Sequence, residues 1–337
     1  MLNKRMLSMG CDPELFFRSN GRIIGSERII PEDGLGNNLW SNRVVRDGIQ
    51  LELNPVNATS VRFLGTNLGS CFELLQRRLI GRNVDISFDG VVEVEREELD
   101  ALSEKSRVLG CAPSRNIYGL KPISVDARKY MKRSAGGHLH IGLDYTSIYD
   151  KRSVDERNRL IPLLDIFVGN TCVLLDRDPN AAERRQNYGR AGEYRLPKHG
   201  VEYRTLSNFW LRNYTIFSMI WGMVELAVGI LQETLVTSND LESELVRIVD
   251  IDRVIDAINL NRSDLAWQNW YDIKPFILRY VPHNVGFQVN PRNIEKFEQF
   301  IRQTQSVGLE NAFPADPVKH WIGKVFFEFS DYLEQFK

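Results

Sequence analysis

Four short segments of this chain place two polar or ionisable residues at positions i and i+2. They are Cys11-Asp12-Pro13-Glu14, Leu51-Glu52-Leu53-Asn54, Gly137-His138-Leu139-His140-Ile141 and Val201-Glu202-Tyr203-Arg204. In a β-strand, i and i+2 share a face while their neighbours point the other way. Leu51 and Leu53, Leu139 and Ile141, and Val201 and Tyr203 are therefore expected to enter a core. Should these strands lie in one sheet, its other face carries Asp12, Glu14, Glu52, Asn54, His138, His140, Glu202 and Arg204. Any single pair is explained by the ordinary alternation of a half-buried strand. Together the positions hold four carboxylates, two imidazoles and one guanidinium. A solvated face would instead mix Lys, Thr and Ser.

Carboxylates gathered on one concave face repel one another, and such a cluster persists when cations neutralise it. Carboxylate oxygens with an imidazole suit Mg²⁺ or Mn²⁺ better than zinc, and several acids imply more than one ion. Between the histidine strand and the last strand runs Arg184-Arg185-Gln186-Asn187-Tyr188-Gly189-Arg190-Ala191-Gly192-Glu193-Tyr194-Arg195. Its arginine forks match phosphate oxygens two at a time, and its glycines are expected to let backbone approach a ligand. Taken alone, the segment reads equally as a solvated basic loop paired with surface acids. Gly136-Gly137 is a further expected point of close approach for a nucleotide. Neither a P-loop nor a GxGxxG stands in the chain, so the common phosphate cradles are absent.

The rest of the sequence frames these segments. A length of 337 residues with 10% aromatics fits one large domain or two ordinary ones. Lysine plus arginine (43) nearly balance aspartate plus glutamate (44), which argues against a general nucleic-acid binder. Cys11, Cys71, Cys111 and Cys172 stand far apart with no CxxC pair, so reduced thiols are expected. The N-terminus shows no apolar leader, and Tyr214 to Val236 is interrupted by Glu225, Gln232 and Glu233. It reads as a core helix of a cytoplasmic protein without a membrane partner. Strands are expected at 6–17, 22–25, 48–54, 84–95, 137–143 and 201–206. Helices are expected from Thr59 or Ser60 towards Ile80, over 96–109, and from about Val154 to Leu175 with a kink at Pro162. From 210 onward the chain reads as mostly helical. Without a regular βαβ rhythm, the fold class is α+β with an antiparallel sheet.

The order of the motifs resembles that of the glutamine synthetase-like carboxylate–amine ligases, and most closely the phage and prophage group called COOH–NH2 ligase type 2. The motifs that carry the likeness are Gly-Cys-Asp12-Pro-Glu14, Glu52-Leu-Asn54, Gly-Gly-His138-Leu-His140, Arg190 with Arg195, and Val-Glu202-Tyr-Arg204. They cover residues 8–210. The resemblance implies a curved antiparallel half-barrel flanked by helices, with residues 1–260 as catalytic domain and 261–337 as a mainly helical extension. It implies Glu14, Glu52 and Glu202 as magnesium ligands, with Asp12 and His138 as additional ones. His140 and Asn54 would face the nucleotide, while Arg190, Arg195 and Arg204 would contact ATP's phosphates and the transferring phosphoryl group. The family carries a further acid upstream of Glu-x-Asn; here Asp47 and Gln50 stand nearby.

The implied reaction uses ATP and two or more Mg²⁺ (or Mn²⁺) ions to activate a small-molecule or peptide carboxylate as an acyl phosphate. An amine substrate then displaces phosphate and leaves an amide. Asp47 is a candidate for the base that takes the amine's proton. A metal-dependent hydrolase would use the same histidines and acids but leave the arginines idle. A non-catalytic binding protein retaining the fold would keep buried charge with no ion to offset it. A guanidino-type kinase shares the outline of the plan.

Overall fold

The computed structural model describes residues 7–36, 41–107, 114–121, 131–142, 151–176, 178–198, 200–236, 240–280, 291–307 and 316–322. In chain order the strands are β1 (Ser8–Cys11), β2 (Glu14–Ser19), β3 (Arg22–Ile24), β4 (Arg43–Asp47), β5 (Gln50–Asn54), β6 (Asp85–Ser87), β7 (Val91–Glu93), β8 (Arg115–Asn116), β9 (Lys132–Ser134), β10 (Leu139–Gly142), β11 (Glu193–Arg195) and β12 (Gly200–Tyr203). The α+β class with antiparallel pairing holds. The motif strands do not share one sheet but fall in two, one ordered β1-β10-β12-β11-β8, the other β3-β2-β5-β4 with β6 also on β2, and β7 pairs with β9 in a separate two-stranded sheet.

The division falls inside the segment read as one strand over 6–17. Pro13 has no N–H to give to a ladder, and the strand breaks at Asp12-Pro13 into β1 and β2. The two sheets stay joined around the break. Pro13's carbonyl accepts from Leu53 N at 3.0 Å, and the Glu14 N–H donates to the Gly136 carbonyl at 2.9 Å. β1 pairs with β10 while β2 pairs with β5, so the antiparallel surface curls into a half-barrel about this bend.

One face of each sheet is apolar. Val44, Leu51, Leu53, Leu139, Ile141, Val201 and Tyr203 are fully buried. Helix Val61–Leu79 covers β4 and β5 with a stripe of Leu64, Leu68, Cys71, Phe72 and Leu75, the three-and-four spacing of an amphipathic helix. Ser60 caps it by accepting from Phe63 N.

The long helix Tyr214–Val236 packs against helix Lys151–Leu164. Its Tyr214–Leu235 stretch is long and apolar enough to cross a membrane, yet 89% of its most apolar window is buried within the protein. Further helices run over Leu241–Ile248, Ile251–Asn259, Ser263–Tyr280, Pro291–Val307 and Pro317–Trp321. Pro162 lies inside Lys151–Leu164, and the chain continues through a single π-helical turn, Asp165–Gly169, into Asn170–Val173. The helix expected over 96–109 is interrupted, with Arg96–Ala101 and Glu104–Arg107 helical and 108–109 outside the described residues. Cys11, Cys71 and Cys172 are buried free thiols, and Cys111 lies outside the described residues.

Candidate active site

Register brings the polar residues into two rows. In the first sheet, Gly10 pairs with His140, His140 with Glu202, and Glu202 with Arg195. Directly paired residues of antiparallel strands share a face, so His140, Glu202 and Arg195 form a transverse line. Asp12, just past the end of β1, closes one end: its Oδ2 lies 3.0 Å from His140 Nε2 and its Oδ1 3.0 Å from His138 Nδ1. In the second sheet, Glu14 pairs with Glu52 and Glu52 with Val45. Asp47, two residues beyond Val45, falls on the same face.

The rows contain two groups able to hold a cation. Asp12, His140 and Glu202 each present a ligand atom within 4.8 Å of the others, and so do Glu14, Asp47 and Glu52. The i, i+2 reading of Asp12 and Glu14 as facing one ligand set is thus refined: the Pro13 bend assigns them to different groups. Asp47 supplies a third acid to the second group, while Gln50 donates to Glu14 Oε2 at 3.1 Å and to the Ser134 carbonyl at 2.8 Å. Strand β4, which carries Asp47, was not anticipated. Its signal was present in Arg43-Val44-Val45-Arg46-Asp47 followed by Gly48, a β-rich run ending in a two-residue hairpin loop.

The electrostatics of the second group are those of crowded acids. Burial, then the Asp47 charge, pushes Glu14 up to about 8, against a hydrogen bond from Gly136 N–H. Burial and the charges of Asp12, Asp47 and Glu14 push Glu52 up to about 9, against a bond from Asn54. Asp47 is raised by burial and by Asp12, with Arg204 and Arg195 opposing. Asp12 behaves differently. Burial would raise it, but the charge of His138 and hydrogen bonds from both histidines hold it well below the usual carboxylate range. His138 is lowered by burial despite Asp12, whereas hydrogen bonding and charge from Asp12 raise His140.

The arginines divide. Arg204, 1% exposed, contacts Glu202 Oε1 through Nη1 and donates from Nη2 to the Tyr188 hydroxyl at 2.6 Å. Arg195 Nη1 stands 3.6 Å from the same Glu202 oxygen, with its side chain 30% exposed. Arg190 instead pairs with Glu193 at 3.0 Å and donates to the Lys121 carbonyl at 2.8 Å. Arg184 and Arg185 belong to helix Ala181–Asn187 and are buried. Arg184 donates to the carbonyls of Ala135, Thr205 and Leu206, and Arg185 to that of Ile258 at 2.5 Å. These two are fasteners of the fold, contrary to both readings of the segment as a phosphate loop or a solvated one.

The glycines also serve packing. A Cβ on Gly137 would stand 2.2 Å from the Ser207 carbonyl oxygen and 2.5 Å from Trp210 Nε1, so its bareness admits the protein's own backbone and indole. Gly189, at φ +75°, turns the chain after the helix and packs against the Arg184 guanidinium.

Residues 122–248 match the model of the family described as Phage phiEco32-like COOH.NH2 ligase-type 2. The resemblance read from the motifs is borne out over that span, and it supports an enzyme of the carboxylate–amine ligase kind. No curated protein matches the chain. The ligase-matched span contains His138, His140, Arg190, Arg195, Glu202 and Arg204. Asp12, Glu14, Asp47 and Glu52 come from outside it and reach the same site through β1, β2, β4 and β5.

Proposed function

We propose that this protein is an ATP- and Mg²⁺-dependent carboxylate–amine ligase that works through an acyl phosphate, on a half-barrel of the glutamine synthetase-like plan. The observation that carries the reading is the adjacency of two cation-fitting groups, Asp12–His140–Glu202 and Glu14–Asp47–Glu52, to the guanidinium of Arg204. The donor set fits a hard divalent ion: five carboxylates and one imidazole, without a thiolate. Burial first, and then the charges of Asp47 and Asp12, raise Glu14 and Glu52, and a bound cation would offset that acid–acid repulsion.

Bound at these groups, Mg²⁺ would supply charge neutralisation for a polyphosphate. The chain's own residues account for the rest. Arg195 and Arg204 converge on Glu202 and are held ready to meet oxygens of a transferring phosphoryl group, stabilising charge as it moves to the substrate carboxylate. In the second half, the amine nitrogen bonds to the activated carbonyl carbon, the bond to phosphate oxygen breaks, and a carboxylate takes the amine proton. Asp47, raised and half-buried, is the proposed acceptor wherever it is not engaged by an ion. Asn54, which bonds Glu52 from the same strand face, faces the nucleotide in this reading, while His140, which the resemblance assigned to the nucleotide, is taken here as the imidazole of the first cation group.

The test is phosphate release from ATP with pools of carboxylates and amines. Release that requires Mg²⁺, a carboxylate and an amine together supports the ligase. Hydrolysis of an amide substrate without ATP would instead establish a metal-dependent hydrolase. Thermal melts give an independent check: Mg·ATP at a hundredfold excess over Kd stabilises by about 2.7 kcal/mol, and Glu14→Gln is expected to remove that shift.

A further inference from the structure

One side chain absent from the sequence-derived set touches His138 and Arg204, the partners of the first group's two acids. Tyr188 ends helix Ala181–Asn187, its N–H donating to the Arg184 carbonyl at 2.7 Å. Its ring lies beneath two guanidiniums, with Arg184 Cζ 5.1 Å and Arg204 Cζ 5.2 Å from the centroid. It stands edge-on to the His138 ring at 5.6 Å and 78°. The phenol oxygen contacts His138 Nε2 and accepts from Arg204 Nη2 at 2.6 Å. The far sides of those partners meet the acids. His138 Nδ1 lies 3.0 Å from Asp12 Oδ1 and 3.8 Å from Glu202 Oε1, while Arg204 Nη1 contacts Glu202 Oε1.

These contacts form a closed circuit: Tyr188 to His138, His138 to Asp12 and Glu202, Glu202 to Arg204, and Arg204 back to Tyr188. An imidazole can present either nitrogen to a carboxylate, and a partner on one nitrogen decides which. Similarly, a guanidinium fork held at one nitrogen keeps the others aimed. We propose that Tyr188 is a positioning residue whose hydroxyl fixes the His138 ring with Nδ1 towards Asp12 and Glu202 and locks the Arg204 fork beside them. The cations it bears on are those of the proposed function, so the meaning of the circuit rests on that reading, although the circuit itself does not.

Tyr188→Phe keeps the ring and its two cation contacts and removes only the hydroxyl. Two measurements decide. In metal-free protein labelled with ¹⁵N-histidine, the Nε2 signal of His138 should shift between wild type and Tyr188→Phe; an unchanged signal overturns the proposal. Mn²⁺ affinity, read by electron paramagnetic resonance of free ion, should then fall roughly 10-fold, the low end of the range for losing an outer partner, since Tyr188 acts on the ligand acids Asp12 and Glu202 through His138 and Arg204. A shifted His138 signal with wild-type Mn²⁺ affinity also overturns it, since the bond would then be structural only. Wild-type protein that binds no Mn²⁺ would sink the cation reading instead, and the imidazole signal alone would decide the orientation claim. If Tyr188→Phe fails to fold, 3-fluorotyrosine placed at 188 preserves ring and hydroxyl and must move the same His138 signal; no movement overturns the proposal.

Discussion

Glu14 and Glu52 stand directly opposite each other as a registered pair of antiparallel strands, with Asp47 beside them. Like charges in that relation destabilise a sheet, and burial makes the repulsion worse. Glu52→Gln should therefore raise the stability of the metal-free protein by on the order of 1 kcal/mol, measured by urea denaturation. The same variant should lose divalent-cation binding by calorimetry. A variant less stable than wild type without metal would show that other groups already compensate the acids.

Arg204 offers a sharper test of chemistry. Lysine at 204 keeps the charge but cannot meet Glu202 and the Tyr188 hydroxyl with one planar fork. Arg204→Lys should retain the fold and most ATP affinity while turnover falls by roughly 10²–10³-fold, the range for one lost charge-stabilising donor. Near-equal steady-state ATP consumption by the two proteins would remove Arg204 from phosphoryl transfer.

Asp165 gives a pH signature remote from the acidic groups. It is fully buried on the π-helical turn and accepts from the hydroxyls of Tyr203 at 2.6 Å and Tyr118 at 2.9 Å. Burial pushes it up to about 7, against those hydroxyls, the Gly192 N–H and the Arg185 charge. Between its ordinary value and about 7 the folded state holds a proton that the unfolded state has released. Stability contributed by that proton is present below the ordinary range and is lost as pH rises to about 7. Asp165→Asn should flatten that decline, visible as a difference between the two proteins' Tm profiles from pH 4 to 7. Parallel profiles would show that Asp165 is ionised throughout.

Gly137→Ala probes the Gly-Gly pair. The added methyl meets the Ser207 carbonyl and the Trp210 indole, which itself donates to the Gly137 carbonyl at 3.1 Å. Overpacking of this kind costs about 1–3 kcal/mol, so the variant should unfold at lower urea even without nucleotide. Unchanged stability with weakened Mg·ATP binding would restore the pair as a point of ligand approach.

What could be read from the sequence was what a strand's period carries. Leu51-Glu52-Leu53, Leu139-His140-Ile141 and Val201-Glu202-Tyr203 sort themselves by alternation, and the structure buries the apolar partner in each case. Pairing across strands is not local, so the register that sets His140 against Glu202 and Glu14 against Glu52 had to come from the fold. Asp47 was legible as a nearby acid and a candidate base but not as a member of the Glu14–Glu52 row, because its own strand was missed. Arg184, Arg185 and Tyr188 were illegible for another reason: in a basic run, composition does not tell a guanidinium that binds buried carbonyls from one that waits for a ligand. Arg190 needed the turn at Gly189 before its partner Glu193 could be known.

The break at Asp12-Pro13 has a consequence for how the site comes into being. The first cation group joins residue 12 to residue 202, and the second joins residue 14 to residues 47 and 52. The first cannot close until the ends of the 190-residue stretch between residues 12 and 202 have met, whereas the second draws on residues 14 to 52 alone, and the entropic cost of closure grows with the logarithm of loop length. A fragment limited to the family-matched span 122–248 would possess the histidines and arginines but no acid from β2, β4 or β5. Cation binding at the first group should accordingly appear later during refolding than binding at the second, reporting completion of the barrel rather than formation of any one of its strands.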